Sequence, residues 1–220
     1  MKLVLLIALF FTATATVTNE ATAMKHGLKP LAPGWGFSGS GLFLPYLLGS
    51  LTALNDYGVV KRNTLVAGTS GGSYTAALNC AGINGSHAFT TLQNVFAKCA
   101  ADPGCLGQGL GGLTELYLQA VIPKDVQKRC NKYLFVHISQ CAVEDIPADD
   151  PLCINQQVAN ITAHSFENRA DVVSALKASS FVAGTSKAGK CSTKFRGKLA
   201  YDGGYTVELV SPGARLGGKS

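Results

Sequence analysis

Leu44, Leu47, Leu48, Leu51 and Leu54 recur at three- and four-residue steps, the repeat of one helix face. The spacing predicts a helix from about Leu42 to Tyr57, with Pro45 tolerated in its first turn and Gly58 as a natural stop. Ahead of it, residues 24–33 read as an irregular lead-in, and Trp35 to Ser38 as a short strand that runs into Gly39-Ser40-Gly41. Thr64 to Ala67 is a short apolar run broken by Gly68, which predicts a buried strand. A helix rich in small residues follows from Gly71 to Cys80. Further helices are expected near 87–101, 112–121 and 124–132, and a strand over Leu134–Ile138. The acidic, proline-bearing stretch from Glu144 to Pro151 reads as a loop. Asp171 is placed to cap a helix reaching about Ser179, and Lys198 to Tyr201 forms a strand that stops at Asp202-Gly203-Gly204. No internal repeat or linker is present. Strands alternating with helices predict an α/β fold, a three-layer sandwich around a mainly parallel central sheet.

Composition narrows the class. Hydrophobic residues make up 47% of the 220 positions and charged residues 15%, which excludes a disordered chain. The 25 glycines follow no three-residue period, so a collagen-like fold is excluded. One charge, Lys2, is followed by the apolar run Leu3–Phe11 and then small residues, the layout of a secretory signal peptide with cleavage expected after Ala21-Thr22-Ala23 and Ala13-Thr14-Ala15 as a second option. The threonines from Thr12 onward make the run too short for a membrane span. That leaves one domain over residues 24–220.

All seven cysteines (Cys80, Cys99, Cys105, Cys130, Cys141, Cys153 and Cys191) lie beyond the leader. None forms a CxxC pair, and four histidines are too few to favour zinc, so disulfides in an oxidising compartment are the better reading. Seven is odd, which leaves one thiol over. Asn84-Gly85-Ser86 and Asn160-Ile161-Thr162 are N-glycosylation sequons and fit the same secretory route. Net charge is +6, with seven basic residues from Lys187 onward against Asp202 and Glu208. Such a stretch suits a solvated face or an anionic surface.

Gly68-Thr69-Ser70-Gly71-Gly72 fits G-x-S-x-G between a predicted strand and a predicted helix. A nucleophile on so sharp a turn is crowded, and glycines two before and two after remove the side chains that would clash. The turn would present the Ser70 hydroxyl at a helix N-terminus, where backbone N–H groups favour developing negative charge. An α/β-hydrolase triad needs an acid and then a histidine after Ser70. His164 preceded by Asp149 or Asp150 is the available set, but nothing around His164 resembles a catalytic histidine turn. The pentapeptide also resembles the Gly-Asp-Ser-Gly-Gly of chymotrypsin-like proteases, which need His and Asp upstream; only His26 stands there.

Two more motifs decide among these. Gly39-Ser40-Gly41 is a glycine-rich loop able to aim N–H groups at an anion. Asp202-Gly203-Gly204 follows a short strand, 132 residues after Ser70. In that order, glycine loop, G-x-S-x-G and D-G-G, the chain resembles the patatin-like phospholipase family from about Trp35 to Ala81 and again from about Asp171 to Tyr205. The resemblance implies a histidine-free dyad, with Ser70 as nucleophile, Asp202 as base, Gly68, Gly71 and Gly72 building the elbow, and Gly39, Ser40 and Gly41 forming the oxyanion hole. It implies acyl-ester hydrolysis of phospholipids or acylglycerols at a lipid or membrane surface, with no cofactor, metal or nucleic acid. The chain departs from the family at Leu44, where a glycine or basic residue is common. It departs again after Gly204, where Tyr205–Val210 replaces an asparagine-proline segment, so the expectation is either a compact variant of the fold or a domain cut short at its C-terminal end. The rival expectation is a secreted lipid-binding protein on the same scaffold, catalytically inactive through truncation. A third, a nucleotide loop at Gly39–Gly41, lacks the G-x-x-x-x-G-K-[ST] pattern.

Overall fold

The computed structural model describes residues 34–141 and 158–206. The expected leader and lead-in, the loop at 144–151 with Asp149 and Asp150, Cys153, and the segment from 207 onward lie outside the described residues. Among the described residues six strands form one sheet: β1 (Gly34–Phe37), β2 (Leu65–Thr69), β3 (Leu134–Cys141), β4 (Val158–Ala163), β5 (Thr193–Phe195) and β6 (Lys198–Asp202). Seven α-helices accompany them among the described residues: α1 (Leu44–Asp56), α2 (Gly71–Ala81), α3 (Gly85–Ala100), α4 (Pro103–Leu106), α5 (Leu110–Val121), α6 (Val126–Cys130) and α7 (Arg169–Ser179). One-turn 3₁₀ helices occupy Gly41–Phe43 and Gly203–Tyr205.

The protein is α/β, but its sheet is mixed. β1–β2 and β2–β3 are parallel, whereas β3–β4, β3–β6 and β5–β6 are antiparallel. The mainly parallel sheet expected from the sequence holds only for the first three strands. β5 and β6 are joined by the two residues Arg196 and Gly197, both at positive φ, and so short a connection permits only a hairpin. β4 and β5 were not expected, because β4 is an apolar/polar alternation of small residues and β5 has only three residues.

The register places the strands more finely. Val136 and His137 pair with β2 on one side and β4 on the other. Ile138, Ser139 and Gln140 pair with β4 and β6. A strand has two edges, so β2 and β6 share the same edge of β3, end to end. β2 runs up that edge and stops at Thr69; β6 runs down it and stops at Asp202. The two meet at a seam at the height of His137 and Ile138.

Side-chain alternation then divides the core. Val66, Leu134, Val136 and Ile138 face the helices, packed with Leu48 and Leu51 of α1, Leu78 of α2, Leu118 of α5 and Leu176 of α7, all of them fully buried. Each such side chain contributes roughly 1.5–3 kcal/mol relative to exposure. Cys141, Leu199 and Tyr201 point to the other face and form a second cluster with Cys191. Helix ends follow local chemistry. Gly58 (φ 67) and Gly82 (φ 73) close α1 and α2 in the left-handed region, and the Asn84 side chain caps α3 by accepting from the Ser86 N–H. The cap of α7 is Asn168, accepting from the Asp171 N–H, rather than Asp171 itself; the Asp171 carboxylate pairs with Arg196 at 2.7 Å.

Among the described residues two disulfides are formed. Cys80–Cys130 joins α2 to α6, and Cys99–Cys105 joins the end of α3 to α4. They are compatible with a non-cytosolic compartment. Among the described residues no helix is long and apolar enough to cross a membrane. Closing the 50-residue span between Cys80 and Cys130 removes denatured-state entropy worth about 4 kcal/mol in the chain-entropy model. Replacing both cysteines with serine is therefore expected to lower the urea midpoint more than replacing Cys99 and Cys105. Equal midpoints for the two variants would show that the long loop carries no special weight.

Candidate active site

The elbow is built where β2 turns into α2. Ser70 holds φ 54 and ψ −131, a conformation a non-glycine residue adopts only where its surroundings enforce it. The enforcement is visible. The Ser70 N–H donates to Ser179 Oγ at 2.9 Å, and Ser179 Oγ donates to the His137 carbonyl at 2.7 Å. Ser179 thus bridges the elbow to the central strand at the seam. On the other side, Ser73 donates to the Ser70 carbonyl through its N–H (2.9 Å) and its hydroxyl (2.6 Å).

The glycines of the motif have individual reasons. A Cβ on Gly68 would lie 2.4 Å from the Gly72 carbonyl oxygen, and one on Gly72 would lie 2.2 Å from the Phe37 carbonyl oxygen. A Cβ on Gly71 would meet the Ser40 hydroxyl at 2.2 Å and lie 3.6 Å from the Gly41 nitrogen. The Gly39–Gly41 loop therefore rests directly on the elbow. A Cβ on Gly39 itself would stand 3.3 Å from Ser70 Cβ and 4.0 Å from Ser70 Oγ. The amides of Gly39, Ser40 and Gly41 donate to no backbone carbonyl among the described residues, so they remain available to an anion beside Ser70.

Asp202 arrives from the other half of the seam. Ile138 pairs with Asp202, and alternation puts the Asp202 carboxylate on the same face as the Ser70 side chain. The carboxylate is buried, and the neighbouring Ser70 hydroxyl acts to lower its proton affinity. Its Oδ1 also accepts from the Gly204 N–H at 2.8 Å. Its backbone is fixed on both sides: the Asp202 N–H donates to the Phe181 carbonyl (2.9 Å), and Ser139 Oγ donates to the Asp202 carbonyl (2.7 Å). Gly203 has to be glycine, since a Cβ there would lie 2.4 Å from the His137 carbonyl oxygen. Burial raises the Asp202 carboxyl above the usual carboxylate range, against the lowering effect of the Ser70 hydroxyl and the Gly204 amide. A raised carboxyl beside a serine hydroxyl is the condition under which a carboxylate becomes a useful base near neutral pH.

The histidines go elsewhere. His137 projects to the opposite face, with Nδ1 3.1 Å from Thr162 Oγ1, and burial holds its pKa down. His164 is exposed and packs against Phe135 at a ring distance of 5.7 Å, two rows down β3 from the elbow. His87 is exposed on α3. Tyr74, one turn along α2 from Ser70, hydrogen-bonds Ser180 Oγ; burial pushes its hydroxyl up to about 12. Ser180 and Phe181 form part of the wall of a cavity of about 240 Å³ between α5 and the end of α7, which Thr114, Glu115, Lys177 and Thr193 also line.

The structure therefore brings together Ser70, Asp202, Gly39, Ser40 and Gly41 around one elbow. Ser179, Ser73, Ser139 and Tyr74 were missed by sequence reasoning. No spacing rule links Ser179 to Ser70, which stand 109 residues apart, and only the G-x-S-x-G register marks Ser73 as close. No protein-family model matches the chain, and no curated protein matches it. Function must be argued from this geometry and from the motif order.

Proposed function

We propose that the protein is a lipid acyl hydrolase of patatin-like, three-layer architecture, cleaving acyl esters of phospholipids or acylglycerols in a secretory compartment. The observation that carries this reading is a strained, positive-φ serine facing a buried carboxyl of raised proton affinity, under a glycine loop with unengaged amides. In the first step Ser70 Oγ attacks the ester carbonyl while the Asp202 carboxylate takes its proton. The developing oxyanion accepts from the loop amides and from the N-terminal amides of α2; one good donor of this kind is worth about 3–4 kcal/mol. The tetrahedral species collapses to acyl-Ser70 as protonated Asp202 returns the proton to the leaving alcohol. Water, deprotonated by Asp202, then attacks the acyl-serine, and collapse releases the fatty acid and restores Ser70. The two disulfides support the compartment.

A fluorophosphonate probe tests the nucleophile directly, since Ser70 Oγ would displace fluoride at phosphorus. We expect one adduct per chain, on the peptide containing Ser70, formed faster at pH 8 than at pH 5. An adduct on another serine, such as Ser186, or none at all, would overturn the assignment.

A further inference from the structure

The glycine loop runs straight into the most exposed apolar residues near the elbow. Leu42 is 80% exposed, Phe43 75% and Tyr46 65%. Leu42 and Tyr46 are four residues apart and Phe43 and Tyr46 three, so on a helical turn the three share one face. Phe43 N–H donates to the Ser40 carbonyl at 2.8 Å, which ties the patch rigidly to the loop that rests on Ser70. The outward side of α1 continues with Pro45, Gly49 and Ala53. From Gly34 to Asn55 the chain carries no charged residue; the first is Asp56. An outward helix face normally carries charges, and an exposed, charge-free apolar face marks a surface that leaves water to work.

We propose that Leu42, Phe43 and Tyr46 dock the protein on an uncharged lipid surface, seating the Ser70 elbow against the ester layer. The proposal rests on reading Ser70 as the nucleophile of a lipid hydrolase. The lack of charge over residues 34–55 matches a neutral acyl-ester layer and offers nothing to a charged partner. A second protein chain on this patch would stand over the loop and close off Ser70, whereas a lipid surface delivers substrate to it. The basic stretch from Lys187 is a weaker candidate for the contact, because Arg196 is already committed to Asp171 and to the Phe195 ring.

Sedimentation with phosphatidylcholine vesicles containing diacylglycerol tests the docking without requiring turnover. The Ser70→Ala protein is expected to bind as the unmodified chain does, with little change between low and high salt. Leu42→Ser/Phe43→Ser is expected to weaken partitioning by about tenfold or more, from the lost burial of two large apolar side chains. Tyr57→Ser is the control: it is 85% exposed but lies at the far end of α1, and it should bind normally. Thermal melts confirm that each variant is folded. Equal binding by the double variant overturns the proposal, as does binding that salt abolishes. Self-association that the double variant abolishes, without vesicle binding, would assign the patch to a second copy instead. If docking fails while the fluorophosphonate still labels Ser70, the hydrolase reading survives and only this surface is lost.

Discussion

Ser70→Ala is expected to eliminate turnover of a short-chain nitrophenyl ester, by at least about a thousandfold, while the far-ultraviolet circular dichroism stays unchanged. The hydroxyl is the only group the substitution removes, and the backbone that creates the strain is held by Ser179 and Ser73, not by the Ser70 side chain. Alanine tolerates φ 54 no better than serine, so the elbow keeps its shape through the same hydrogen bonds. The loss measures nucleophilic catalysis and not unfolding. Turnover within tenfold of the unmodified enzyme would remove Ser70 from the mechanism, and with it the hydrolase reading.

Asp202→Asn is expected to reduce kcat by at least about a hundredfold, the scale of losing a general base. It should also stabilise the fold. Burial raises the Asp202 carboxyl in the native protein, so ionising it is harder folded than unfolded. Its contribution to stability is full below the unfolded carboxylate value and is lost as pH rises through the higher folded value. Above the unfolded carboxylate value the buried acid therefore weakens the fold, and asparagine, which does not titrate, relieves that burden while still accepting from the Gly204 amide. The melting temperature of the variant should exceed that of the unmodified protein at pH 7, and the gap should close towards pH 3. The acid limb of the kcat profile should lie above 3.8, the ordinary carboxylate value, because only the deprotonated form is a base. A variant that loses activity and stability together would make Asp202 a structural residue.

The sequence made the site more legible than the sheet. The elbow, the glycine loop and the D-G-G turn are each encoded by neighbouring residues whose steric needs leave a local mark, as Gly68, Gly72 and Gly203 show. Helices α1 and α2 declared themselves through leucine spacing and small-residue content. β4 and β5 did not, because pairing is set by partners remote in sequence and neither strand is long or strongly apolar. The hairpin turn at Arg196-Gly197 was the overlooked signal for antiparallel β5–β6. The cap of α7 was misplaced by three residues because Asp171 was read alone, when its carboxylate is engaged by Arg196. The link from Ser179 to Ser70 had no local trace at all.

The end-to-end arrangement of β2 and β6 along one edge of β3 has a bearing on the timing of biosynthesis. The nucleophile elbow needs only the chain through β3 and α7, since Ser179 and His137 complete its bracing. Asp202 arrives with β6, which takes the upper half of the edge only after residue 202 has been made. Until then Ser139 and Gln140 present an open edge, and Ser70 stands without Asp202 beside it. If Ser70 and Asp202 work as the proposed pair, docking of β6 is the step that switches the site on, and the elbow stays unarmed until that strand has paired with β3.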